Sequence, residues 1–161
     1  MPNSFIKTKS CEFPRKFLGV MAITFGIVFS SFSQTVEEYN ACNTGMPSGK
    51  YYATTTDLQG DLWIASAKCG IIRFNGINWT VLQAAENALN GAIPTSIEVD
   101  GMNHKWIGSI GSGLIYHDGS NWIAFNTLNS GLSSNNVNCI TLDHQGNKWI
   151  TTVLTLKKLV L

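Results

Sequence analysis

The feature that most limits what this chain can fold into is a repeat. Trp63, Trp106 and Trp149 recur at a constant step of 43 residues, and Asp57, Asp100 and Asp143 keep the same step. Trp79 and Trp122 share it, as do Gly76 with Gly119 and Gly70 with Gly113. A constant interval at independent positions means one structural unit used repeatedly, without insertions between copies. Units of roughly 40–45 residues made of strand-like segments mark four-stranded blades, which bury their faces only by stacking on neighbours. The expected fold is all-β: an incomplete β-propeller of about three four-stranded antiparallel blades.

Four strands are expected in each full unit. The first is 51–56, then 95–99, then 138–142, with the alternation of Ile97 with Val99 and Ile140 with Leu142 giving the period of two. A turn follows, reading DLQGD, DGMNH or DHQGN, in which the repeated Asp can accept backbone N–H groups. The second strand carries the repeated Trp, whose flat apolar surface belongs between blades. The third runs 70–74 or 113–117, and the Asn75-Gly76 and Asp118-Gly119 pairs form hairpin turns before fourth strands that start at Trp79 and Trp122. The polar connections 83–94 and 126–137 read as loops without helical periodicity. They are expected on the face where the innermost strands begin, where propeller ligands usually sit.

The organisation expected along the chain is a signal peptide over 1–33, then an outer strand of a partial first blade with a loop over 34–50. Blades over 51–93 and 94–136 follow, and then a truncated blade over 137–161. The strand of the partial blade is expected over 35–40. The leader pairs basic residues with an apolar run over 17–29 that is too short for a stable membrane span, since a helix needs about 20 residues to cross. The protein is therefore expected to be exported. Four of the eleven Lys and Arg residues lie in the leader, leaving seven basic against nine acidic residues beyond position 33. That balance excludes a basic nucleic-acid surface. Outside Cys11 three cysteines remain, an odd number without CxxC spacing, so neither a disulfide framework nor a zinc site is expected.

The pattern D-x-x-G-x-x-W-I-x-S/T, followed by G-L-I-Y-x-D-G-x-x-W and N-S-G-L-S, resembles the two-component regulator propeller repeat. The middle copy carries it best, through Asp100, Trp106, Ile107, Gly108, Gly113, Leu114, Tyr116, Asp118, Gly119 and Trp122. The resemblance implies exported sensor blades of bacterial membrane histidine kinases, or secreted relatives, that sense extracellular ligands such as glycans. At the C-terminus Thr151, Leu154 and Leu156 stand where the pattern has glycines, and TTVLTLKKLVL abandons it. Three blades cannot close a ring, because propellers typically use about four to eight. Either self-association to complete a ring or a poorly stable fragment is therefore expected.

Catalysis is not. A catalytic carboxylate pair converges on one substrate, whereas repeated Asp57, Asp100 and Asp143 would lie apart around an arc and hold turns. His104, His117 and His144 do not recur, so no metal cluster is expected. GSIGSG at 108–113 is followed by a strand rather than a helix, which argues against a phosphate loop. No cofactor is implied. The sequence points to a binding or sensor module whose ligand face carries Lys50, Lys68, Ser109, Ser112, Asn135 and Asn136, its partner an extracellular ligand, such as a glycan, or a protein. Trp79 and Trp122, at the strand edge, are the aromatic residues expected to be exposed. The alternatives are a structural or adhesive repeat or a gene remnant, with a propeller lyase or hydrolase behind them.

Overall fold

The computed structural model describes residues 36–40 and 44–159. The leader over 1–33, Cys11 and Cys42 lie outside the described residues. The first sheet contains β1 (Tyr51–Thr56), β2 (Leu62–Ser66), β3 (Gly70–Phe74) and β4 (Trp79–Val81), paired in that order. After helix α1 (Gln83–Leu89), the second sheet contains β5 (Ile93–Val99), β6 (Lys105–Ile110), β7 (Gly113–His117) and β8 (Trp122–Phe125), again in chain order. The third contains β9 (Val137–Leu142), β10 (Lys148–Thr152) and β11 (Leu156–Leu159). Every pairing is antiparallel, so the fold is all-β and an open, incomplete propeller.

Local chemistry accounts for the turns. Asn75 Oδ1 accepts from the N–H groups of Ile77 and Asn78 at 3.1 and 2.8 Å, while Gly76 takes a φ of 88° that a side chain would strain. Asp118 and Gly119 repeat the arrangement one unit later. At the ends of β2, β6 and β10 a buried hydroxyl holds the next hairpin. Ser66 accepts from Cys69 N–H, Ser109 from Ser112 N–H, and Thr152 from Thr155 N–H.

The sheets stack through apolar faces. Trp63, Ala65 and Ile71 of the first pack against Ile97, Ile107 and Ile115 of the second, and Trp106 and Leu114 of the second against Val137, Ile140 and Ile150 of the third. Ile64 and Ile72, on the opposite face of the first sheet, are covered by Met46. The expected place of Trp63 and Trp106 between blades is therefore observed. Trp149 is only half-buried, with Lys158 Nζ 5.6 Å from its ring centre.

The third sheet, expected as a truncated blade, has three strands among the described residues. Three sequence expectations need correction. The 83–94 connection contains α1: its Gln-Ala-Ala-Glu-Asn-Ala-Leu run favours helix, and Ala85 and Leu89, four residues apart, both bury in the first core. Residues 36–40 form no strand: Asn40 O accepts from Thr44 N–H at 3.1 Å as the chain turns, and Tyr39 rests edge-on against Phe74 and Trp79. Finally, the divergent tail does not leave the fold. A tighter turn, closed by Thr152 N–H on Thr155 O at 2.8 Å, pairs Thr151 with Leu156, so that Leu156 takes the place Leu114 holds beside Gly108.

Candidate functional site

The repeated acids build a joint between sheets. Trp63 Nε1 donates to Asp57 Oδ2 at 2.9 Å, Trp106 to Asp100 at 2.9 Å, and Trp149 to Asp143 at 3.0 Å. The other oxygen of each carboxylate accepts the turn's N–H groups, such as Asp61 N–H on Asp57 and His104 N–H on Asp100. The following sheet then supplies a cation. Lys105 Nζ lies 3.2 Å from Asp57 Oδ2 and 4.6 Å from the centre of the Trp63 ring. Lys148 Nζ lies 3.9 Å from Asp100 Oδ2 and 4.9 Å from the centre of the Trp106 ring. An indole face and a carboxylate together hold each ammonium out of water.

Burial pushes the Asp57 carboxyl up, but the bonds from Trp63 and Asp61 and the Lys105 ammonium outweigh it and hold Asp57 below the usual carboxylate value. Asp100 behaves alike, with burial opposed by Trp106, the turn amides and His104. His117 goes below its ordinary 6.5, first because it is desolvated. All three shifts are depressions, so each contributes stability above the unfolded-state value and loses it as pH falls. Stability should therefore decline in two stages, beginning below about 6.5 for His117 and again below about 4 for the aspartates. Melting temperature recorded from pH 8 to pH 3 checks this, and His117→Phe should remove the first stage only.

At the opposite end of the sheets lie the residues named from sequence as a ligand face. Lys50 and Lys68 are exposed neighbours there, joined by the bond from Ala67 N–H to Lys50 O at 2.9 Å. Ser109 is fully buried, its hydroxyl donating to Gly113 O at 2.9 Å, so it is corrected from ligand contact to turn support. Ser112 is half-buried and its Oγ donates to Leu89 O at 2.6 Å, tying the β6–β7 turn to the end of α1. Asn135 accepts from Thr127 N–H at 2.8 Å with its side chain, and its carbonyl takes the N–H groups of Gly111 and Gly113. Asn136 is bridged to Ile110. These four residues stitch loops together.

The repeat itself carried that information, since a hydroxyl recurs at Ser66, Ser109 and Thr152. What sequence reading missed is the other side of the face. Lys68 lines an open polar cleft of about 460 Å³ with Asn87, Asn90 and the backbone of Gly91, all contributed by α1 and the turn after it. Asn90, with φ of 48°, is fixed in the left-handed turn that ends the helix. Trp79 and Trp122 are half-buried: Trp79 stacks on Phe74 at 4.1 Å and Trp122 on His117 at 4.0 Å. One ring face of each is already occupied, so neither is a free sugar platform. Among the described residues no group of His, Cys, Asp or Glu is arranged to hold a metal.

Such sheets, each joined to the next by strand-end turns, define the class: consecutive blades of a β-propeller. Solved propeller structures match the chain accordingly. PorZ, a bacterial surface component of the type-IX secretion system of Porphyromonas gingivalis, is 27% identical over 66% of this chain, with a TM-score of 0.55. The extracellular domain of the putative hybrid two-component system BT3049 from B. thetaiotaomicron is 23% identical over 78% of the chain, with a TM-score of 0.57. A catalytically inactive virginiamycin B lyase from Staphylococcus aureus is 15% identical over 78%, with a TM-score of 0.57, a likeness of fold alone. The chain spans 17%, 18% and 45% of these three chains. The BT3049 neighbour is likewise a likeness of fold, the propeller fold that the sequence resemblance implies. No protein-family model and no curated protein matches the chain.

Proposed function

We propose that the chain is an exported propeller module that recognises an extracellular ligand or protein partner and performs no chemistry of its own. The observation that carries this reading is the Lys68–Asn87–Asn90 cleft at the inner-strand end of the sheets. It offers an ammonium and two amides, a set suited to the hydroxyl groups of an oligosaccharide. The acids that an enzyme would need are spent elsewhere, on Trp and Lys in the joints between sheets. Two neighbours that are a surface component and an extracellular domain support the same reading, as does the leader over 1–33.

An oligosaccharide array followed by titration of the best binder tests it. Binding should appear for at least one class of glycan, and Lys68→Ala with Asn90→Ala should weaken it by roughly tenfold or more. Silence across a broad panel would sink the glycan reading. Binding untouched by both substitutions would move the site off this cleft.

A further inference from the structure

We infer that the cleft between the first and second sheets takes an extended, uncharged polypeptide segment of a protein partner, His117 accepting a peptide N–H and Arg73 donating to a peptide C=O. The cleft is open, holds about 570 Å³ and lies at the β1–β2 and β7–β8 turns, away from Lys68. Trp63, Arg73 and Val81 line it from β2, β3 and β4, and Lys105, His117 and Trp122 from β6, β7 and β8. No residue lines both this cleft and the one at Lys68, so the two sites are independent.

The full charges at the cleft are already paired within the fold. Asp57 accepts from Gln59 N–H, Asp61 N–H and Trp63 Nε1–H and lies 3.2 Å from the Lys105 ammonium, which also donates to Asn103 O at 2.8 Å. Arg73 faces Asp61, giving its Nε–H to Oδ2 at 2.6 Å and reaching the same oxygen through Nη2. An added anion would lie beside two carboxylates, and an added cation beside an ammonium and a guanidinium. A neutral group escapes both repulsions.

The hydrogen-bonding capacity left over is of both kinds. His117 is only 8% exposed, and its Nδ1 lies 3.0 Å from Asn121 O. A carbonyl only accepts, so Nδ1 carries the proton and Nε2 of the neutral ring is an acceptor. The buried polar atoms without a partner are Trp79 Nε1 and Ser96 Oγ; His117 Nε2, also without one among the described residues, therefore reaches solvent, and it does so at the cleft. The ring is held there by stacking on Trp122 at 4.0 Å, with Trp63 6.0 Å away. Arg73, its side chain 46% exposed, keeps N–H donors beyond those that Asp61 takes. A peptide group supplies one donor and one acceptor without charge, and Val81 and Leu82 give an apolar wall for a side chain. A sugar lacks its platform, because one face of Trp122 is taken by His117 and the ring packs against the first core, while Lys105 covers Trp63.

Calorimetric titration of the full chain with a panel of uncharged pentapeptides, acetylated and amidated at their ends, tests it. At least one peptide should bind at concentrations up to about 1 mM, and His117→Phe, which keeps a flat ring on Trp122, should weaken it by roughly tenfold or more, as should Arg73→Ala. Affinity should fall as pH drops through the His117 value, which burial sets below 6.5, since protonation turns the acceptor into a second donor. Lys105 and His104 oppose that protonation, Asp118 favours it, and Asp57 and Arg73 are held by Lys105 and Asp61. Proton NMR of the wild-type chain needs no folded variant: saturating peptide should lower the titration midpoint of the His117 ring, because the peptide binds the neutral form. No binding across the panel overturns the inference, and so does binding that survives both substitutions. Neutral sugars whose binding His117→Phe abolishes would overturn the ligand class. A His117 midpoint that saturating peptide leaves unchanged would overturn its role as acceptor.

Discussion

Trp106→Ala should cost about 3–5 kcal/mol, the range for truncating a buried aromatic residue. Trp106 is the largest fully buried side chain, at 1% exposure, and packs against Val137, Ile140 and Ile150 of the third sheet. Its loss also removes the face under Lys148 Nζ and leaves Asp100 Oδ2 without its 2.9 Å donor. Domains are stable by about 5–15 kcal/mol in all, so the third sheet should undock well before the first two melt. Urea unfolding followed by the fluorescence of the remaining tryptophans should then show two transitions where the wild type shows one. Trp106→Phe, which keeps most of the ring but not the N–H, should cost about 1–2 kcal/mol.

Asp100→Ala should cost roughly 3 kcal/mol, through the penalty for leaving buried partners unpaired. One carboxylate serves the Trp106 indole, the Met102 and His104 amides and the Lys148 ammonium. Removing it leaves Lys148, only 8% exposed, without its counter-charge. Asp143→Ala should be much milder, although the sequence around it is a copy of the same turn. Asp143 is held by the Asn147 amide and by Trp149 near solvent, and among the described residues no lysine from a following sheet reaches it. Parallel denaturant melts of the two variants check the ordering. Equal losses would mean that the turn, rather than the joint between sheets, is what the carboxylate stabilises.

That contrast explains how much could be read from the chain. The repeat placed the strands closely: β1, β3 and β7 lie where the residue pattern sets them, and β5 and β9 begin within two residues of expectation. It did so because strand, turn and Trp positions are fixed by chemistry local to one unit, Asp and Gly at turns and β-branched residues between. α1 escaped notice because its apolar pair, Ala85 and Leu89, is short and lies among polar residues. β11 escaped because its register depends on a shortened turn, and its LKKL sequence has no second copy to compare with. The candidate site fared worse. Ser109, Ser112, Asn135 and Asn136 carry the polar groups a ligand would want, yet nearby loops claim them first.

By itself the sequence determined the unit: its length, its strands, and the Asp and Trp that mark each copy, because these follow from interactions within some forty residues. Only the tertiary structure decided what each copy does. The same Asp–Trp pair becomes a buried joint at Asp57 and Asp100, where a following sheet brings a lysine, and a half-open one at Asp143. Likewise Lys68 acquires Asn87 and Asn90 as neighbours only once α1 folds against the first sheet. A repeat encodes its own interior, but burial and the partners of its polar groups depend on what stacks against it.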